Sequence, residues 1–540
     1  MKQSGPMLEV PEEYRHYFAL RGKRVPASKE LPPPAALSGG LEPLTTPLTK
    51  RQVAHLLKRS EFGGTPERRA ELSGREAPDV ISRMVIGAKA QPVPPPPTWR
   101  ATYPPWNRSA AERQRYFDLQ EEWFDELIGT WITQMVRGGL REKMMLFWHD
   151  HFATERGTYF FSIMAWHYLL LLNQHALGDF RAFVLQMGLS PAMLVYLDGR
   201  LSTLESPNEN YARELLELFT MGQYDKDGRP NYTQDDIVEM SRALTGYTVD
   251  YGDFTSRYAL ERADQSEKTI LGRTGRFNFG GVHQLIFEER PRQIAEFIAR
   301  KLYSAFVYVT PNEEVVEQMA DIFVGNDFEI APVMEALLQS RHFFSEEVMG
   351  TEIKSPVALY VGLFKDMGEK VPTPWGLTLA RWHMGELSQR LLNPPNVAGW
   401  PGYRSWISTS TLPDRWEKQE FLLRGAVLEY RLSGLDVARK LVDPDDPLAA
   451  FKVPVALAEH FLSVPLEEME FDAPRDFSGD LETFPIPEEV LNGPAHVLEL
   501  TRIFLGGFPW YVWNLNRQGI SFGMLLYMRW LTSLPEFQLT

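Results

Sequence analysis

The chain has 540 residues, 44% of them hydrophobic and 24% charged, which is enough apolar material for large cores and too much for a disordered polymer. Its formal net charge of −15 argues against nucleic acid or an anionic membrane surface as the main partner, because both select basic patches. With no cysteine there is no disulfide, no thiolate metal site and no cysteine nucleophile.

The N-terminus, MKQSGPMLEVPEEYRHYF, lacks the basic-then-apolar layout of a secretory signal, so the expected compartment is cytoplasmic, or periplasmic or exported if the chain is a processed form. Residues 1–44 read as an extended proline-rich arm, punctuated by Pro26, Pro32, Pro33, Pro34 and Pro43. A large body is expected over 45–540. Its first helix runs over 49–57, and a second follows the turn at 62–66 and continues through Leu72. Residues 91–106, with four consecutive prolines at 94–97, form a semi-rigid connector or a strap across the body.

From Ala110 to Leu201 the pattern is helical almost throughout. Tyr116, Trp123, Leu127, Ile128 and Trp131 lie near one face of a long helix closed by Gly138 and Gly139. The next helix carries LREKMMLFWHDHFAT, whose His149 and His151 suggest a divalent metal. Two positions apart on a helix they diverge by about 200°, so they share an ion only if the helix ends there. The glycine of ERGT makes that ending reasonable, and His175 is the third candidate ligand. Against this stands the plain alternative that one histidine packs and the other faces solvent. His167 reads as a core histidine. The apolar run at 159–172 is shorter than the ~20 residues that cross a bilayer, so it predicts a buried helix, and no transmembrane segment is expected.

Residues 206–250, SPNENYARELLELFTMGQYDKDGRPNYTQDDIVEMSRALTGYTVD, predict two capped helices joined by a polar loop. Ser206 as N-cap, Pro207 at the first helical position and Glu209 three residues on make a capping box, and Gly222 is the stop. Tyr211, Leu215, Leu218 and Phe219 form one buried face. The polar face holds Glu209, Arg213 and Glu217 at i,i+4 spacing, beside Asn210 and Glu214, and an ion-pair ladder explains most of it. Asn208 and Asn210 are poor helix formers and mark defined hydrogen bonds. The second helix starts at Thr233, with Asp236 closing its box, and ends at Gly246. Asp225-Lys226-Asp227-Gly228 resembles part of a calcium loop. Gln223 and Gln234 stand where the anchoring carboxylates belong, so a plain turn is the better reading.

GRTGRFNFGG at 272–281 fits neither a P-loop nor a dinucleotide fingerprint; its two arginines and glycines allow an anion-binding loop, and an ordinary loop is the better reading. Amphipathic helices are expected over 291–306, 313–323, 330–338, 412–432, 496–503 and 522–531. Residues 393–406 hold prolines, glycines, Asn396, Trp400 and Trp406 in a pattern that is neither helix nor strand. Such a loop either walls a pocket and stacks on a ring, or buries its tryptophans as a structural knot. Residues 467–490 carry nine acidic residues against one arginine and form a solvated excursion.

Many of these segments together resemble one family. AHLLKRSEFGGTP (54–66), EKMMLFWHDHFAT (142–154), HALGDFR (175–181), PAMLVYLDG (191–199), the 206–250 stretch, ILGRTGRFNFGG (270–281), IARKLYSAFV (298–307), KSPVALYVG (354–362), NPPNVAGWPGYRSWISTSTL (393–412) and LPEFQLT (534–540) look like the bacterial domain-of-unknown-function 1800 family, in order, over about residues 45–540. The resemblance implies no particular reaction. It implies an export signal in many members, which this N-terminus does not display, and a sulfatase-like partner protein.

The expected fold is mainly α, a multi-helical globular body with few or no strands. Two functions of different class fit. The first is a binding or assembly protein whose pocket is lined by Asn208, Asn210, Asn396, Trp400 and Trp406. The second is a metal-assisted hydrolase or redox enzyme, with His149, His151 and His175 on a divalent metal and Glu209, Arg213 and Glu214 as its catalytic groups.

Overall fold

Capping chemistry decides where the helices begin. In the computed structural model, which describes residues 32–36, 39–368, 374–423, 434–471 and 485–540, Thr49 opens the Lys50–Glu61 helix with a full capping box. Ser109 and Glu112 do the same for Ala110–Arg137, and Thr233 and Asp236 for Gln234–Ala243. The expected helices at 291–306, 313–323, 330–338, 496–503 and 522–531 are all present, as Pro291–Phe306, Glu313–Gly325, Ile330–Gln339, Ala495–Leu505 and Ser521–Ser533. The helix expected over 412–432 is described as Thr411–Leu423, and the rest of that range lies outside the described residues.

The fold is mainly α, with two antiparallel two-stranded sheets among the described residues. One of them corrects the loop reading of 272–281. Lys268–Ile270 pairs with Arg273–Gly275 across a turn in which Leu271 (φ 51°) and Gly272 (φ 83°) are both left-handed, the geometry that matches strand twist. Leu271 tolerates this because its N–H donates to Asp236 Oδ1 at 2.6 Å while its side chain is buried. Asn278 then caps the Phe279–Glu289 helix.

The start at Ser206 is a second correction. The helix begins at Glu209 with Asn208 as its N-cap, the Asn208 side chain accepting the Asn210 N–H at 2.8 Å. Thr203 and Ser206 instead form an isolated antiparallel bridge upstream, which leaves Pro207 in the connection. After one and a half turns of α-helix the chain widens into a π-helix, Leu215–Thr220, and stops before Gly222 (φ 73°).

The proline-rich connector is a strap. Arg141 Nη1 donates to Gln91 O at 2.8 Å, Trp99 stacks on Trp123 at 5.1 Å, and Trp106 Nε1 donates to Tyr251 O at 3.1 Å. Of the N-terminal arm, residues 1–31 lie outside the described residues. Pro32 and Ala35 are held through their carbonyls by Thr310 Oγ1 at 2.6 Å and Asn312 Nδ2 at 3.2 Å. Of the acidic excursion, 472–484 lie outside the described residues. A single contiguous hydrophobic cluster draws on residues from Ala35 to Phe537, and the C-terminal segment docks through Lys354 N–H to Gln538 O at 2.8 Å.

Candidate functional site

The Leu140–His151 helix runs through this core, and its last three residues each bond to a different part of the chain. Glu142 Oε2 accepts the Gly139 N–H at 2.9 Å to fix the start, and Trp148 Nε1 donates to Ala176 O at 3.0 Å to fix the rotation. The rotation aims His149, Asp150 and His151 outward in three directions.

His149 is fully buried. Its Nε2 accepts the Leu392 N–H at 3.1 Å, so the proton sits on Nδ1 and is donated to Tyr168 Oη at 2.8 Å, and Tyr168 passes its own proton toward Phe152 O at 3.0 Å. Burial drops the His149 pKa to about 3, so the ring is neutral. The Trp400 ring packs on it at 5.4 Å.

Asp150 Oδ1 accepts the Trp400 N–H at 2.7 Å. The preceding residue has to be glycine. Gly399 is left-handed (φ 80°), and a Cβ there would sit 3.0 Å from Asp150 Cγ and closer still to its carbonyl and carboxylate oxygens.

His151 donates from Nε2 to Phe219 O at 3.1 Å, and its Nδ1 receives a proton from Lys301 Nζ at 3.0 Å. The Phe219 carbonyl needs that donor because it lies in the last turn of the π-helix, where no later N–H reaches back to it. Thus the FWHDHF helix, the 206–222 segment and the 392–400 loop, three stretches singled out separately in the sequence, meet at one helix end.

Asp150, on the Leu140–His151 helix, and Lys301, on the Pro291–Phe306 helix, are near enough to act on each other's charge. Each is only half-buried, and among the described residues neither makes an ion pair. Burial raises the Asp150 carboxyl to about 6 against the pull of the Trp400 N–H and the Lys301 ammonium. Burial lowers Lys301 to about 8 against the pull of Asp150. Phe147, stacked parallel to His151 at 6.3 Å, and Phe297, with Lys301 Nζ 5.3 Å from its ring centroid, are the half-buried aromatics beside them.

The other candidates have local roles. Glu209, Arg213 and Gln234 form a surface trio, with Arg213 Nη2 3.1 Å from Glu209 and Gln234 Nε2 donating to Glu209 at 3.0 Å; this is one rung of the expected ladder, and Glu217 instead accepts from Tyr232 Oη at 3.2 Å. Glu214 is half-buried, its pKa raised by burial and by Glu217 against the pull of Arg213. Among the described residues, no hydrogen bond or ion pair joins Glu209, Arg213 or Glu214 to His149 or His151. Asn208 is a cap, Asn210 is exposed, and Asn396 is exposed with its Oδ1 holding the Ala398 N–H at 2.8 Å. Trp400 and Trp406 are 7% and 6% exposed, so the aromatic loop is a knot whose tryptophans point inward.

Both ring nitrogens of His149 and His151 are engaged by protein, and His175 stacks on Phe183 at 5.1 Å with Gln186 as its hydrogen-bond partner. No group of three or more His, Asp or Glu residues that would hold an ion occurs among the described residues.

A family model described as "Protein of unknown function (DUF1800)" matches residues 55–539. The chain belongs to this family. No curated protein and no solved structure matches it. In this DUF1800 chain, no helix among the described residues is long and apolar enough to cross a membrane. Two residues of the cleft went unread in the sequence. Asp150 stood between two more conspicuous histidines. Lys301 was legible as a charge seven residues after Ile294, on the face that otherwise buries Ile298, Leu302 and Phe306.

Proposed function

We propose that this DUF1800 chain is a binding protein whose cleft, between the Leu140–His151 and Pro291–Phe306 helices, takes a small polyhydroxylated molecule of the sugar class. The observation that carries the reading is a carboxylate and an ammonium that act on each other's charge, keep accessible surface and stop short of an ion pair. Two such groups left open suit a ligand that offers a hydroxyl proton to Asp150 and a hydroxyl oxygen to Lys301, with Phe147 and Phe297 to cover apolar ring faces. The 392–406 loop supports the site from behind, through Trp400 and Leu392.

The test is calorimetric titration with a panel of mono- and disaccharides, on wild type and on Asp150→Asn and Lys301→Met. At least one sugar is expected to bind in the millimolar range or tighter, with both substitutions weakening it at least ten-fold. A panel with no binder, or a binder indifferent to both substitutions, defeats the reading.

The same pair suits a second reading, a metal-independent acid–base enzyme. Asp150 near 6 and Lys301 near 8 straddle neutrality, so between those values a carboxylate base stands near an ammonium acid. Turnover of chromogenic glycosides should then follow a bell between about pH 6 and 8. Turnover that survives in Asp150→Asn would rule it out.

A further inference from the structure

Farther back along the same helix lies a second polar cluster. Arg59 is 1% exposed and donates from Nε to Phe306 O and from Nη2 to Val307 O, both at 2.9 Å, yet its Nη1 is buried without a partner. Lys143 is half-buried, with Nζ 4.8 Å from the Phe62 ring centroid, and makes no hydrogen bond or ion pair among the described residues. Among the described residues, Glu352 is a carboxylate that acts on both cations; it is half-buried, makes no ion pair there, and its backbone is pinned by Thr540 at 2.8 Å. One carboxylate thus stands against two basic groups in a partly enclosed place, where one Arg59 N–H is left without a partner.

We propose that Lys143, backed by Arg59, is the contact point of a binding site for a small oxyanion, a phosphate, sulfate or carboxylate group. Lys143 keeps accessible surface and makes the direct contact, while the buried Arg59 guanidinium supplies a fixed field from beneath. Glu352 is the internal competitor that limits affinity. Burial together with Arg59 lowers Lys143 to about 7 despite Glu352, and an arriving anion restores the ammonium form. Lys143 and Asp150 are seven residues apart on one helix, so this site sits about 10 Å along the helix from the Asp150–Lys301 cleft. It does not depend on the sugar reading and fails or survives separately from it.

The experiment is calorimetric titration of the full chain at fixed ionic strength with sodium phosphate, sodium sulfate and sodium acetate against a chloride background, three arms that distinguish the oxyanion types. Arg59→Met removes two caps on the Pro291–Phe306 helix and is expected to compromise folding, so the comparison rests on Lys143→Met and Glu352→Gln. Wild type is expected to bind one equivalent of at least one oxyanion saturably. Lys143→Met should weaken that binding at least ten-fold, and Glu352→Gln should tighten it at least three-fold. Titration no different from chloride in wild type, or undiminished binding in Lys143→Met, overturns the assignment.

Discussion

Gly399→Ala tests whether the 392–400 loop is built onto the Asp150 end of the Leu140–His151 helix. Two costs add. An L-residue in the left-handed region at φ 80° costs roughly 1–2 kcal/mol. The new methyl also overlaps the Asp150 carbonyl and carboxylate oxygens, which makes the loop move and breaks the Trp400 N–H bond to Asp150 Oδ1, a charged-acceptor bond worth about 1.5–3 kcal/mol. The sum is about 3–5 kcal/mol, with part recovered by local relaxation. For a chain of this size one unfolding midpoint is a poor measure, because large proteins seldom unfold in one step. Hydrogen exchange resolved to peptides is the suitable assay. Amides of 392–400 and of the 148–152 helix end should lose protection by two orders of magnitude or more, while the Ala495–Leu505 and Ser521–Ser533 helices stay as in wild type. Exchange within about three-fold of wild type across 392–400 would show that the close approach of Gly399 to Asp150 does not hold this loop.

Asp150→Asn should stabilise the protein above pH 6. The folded carboxyl, raised from 3.8 to about 6, binds more protons than the unfolded one, so wild-type stability declines as pH rises from about 4 to 6, and asparagine removes a penalty of at most about 3 kcal/mol. Peptide-resolved hydrogen exchange of the 148–152 helix end, compared between wild type and variant at pH 4 and at pH 7, checks this, and equal differences at both pH values contradict it. Lys301→Met should remove a rise in stability between about pH 8 and 10.5, where the unfolded lysine holds a proton that the folded one has lost; an unchanged slope in that window counts against the buried ammonium. Asn208→Ala should cost about 1 kcal/mol as a lost N-cap while Ser206→Ala stays within about 0.5, and the reverse order would restore Ser206 as the cap. Incubation with EDTA should leave the melting temperature unchanged within about 1 °C, and a larger drop would contradict the protein-filled valences of His149 and His151.

The helix start at Thr233 was readable from the cap and its box partner Asp236. The Ser206 start was misread because two cap-competent residues lie two apart, and the choice between them is made by the bridge of Thr203 to Ser206, a backbone event with no letter of its own. The hairpin at Lys268–Gly275 was hidden for a related reason. Its turn puts a leucine at positive φ, a position sequence reasoning reserves for Gly or Asn, and only the Asp236 carboxylate, 35 residues upstream, makes that acceptable. Histidine at 149 and 151 suggested ligands, whereas both rings are spent on the main chain and on neighbouring side chains.

That difference explains why the 206–222 segment carries so much polarity without touching the histidines through its side chains. Its polar face caps and pairs at the surface, through Asn208, Glu209, Arg213 and Gln234. Its contribution to the cleft is instead the Phe219 carbonyl, left without a partner because the segment ends in a π-turn, with Thr220 Oγ1 donating back to Leu215 O at 2.5 Å. The carbonyl fixes the proton of His151 on Nε2, which makes Nδ1 an acceptor, and that acceptor holds Lys301 Nζ at 3.0 Å. A change that returned Leu215–Thr220 to ordinary α-helix would shift this carbonyl and free the imidazole to turn. Lys301 would then be released to close an ion pair with Asp150. The π-helix thus keeps the carboxylate and the ammonium apart, through backbone geometry about 80 residues from Lys301 in sequence.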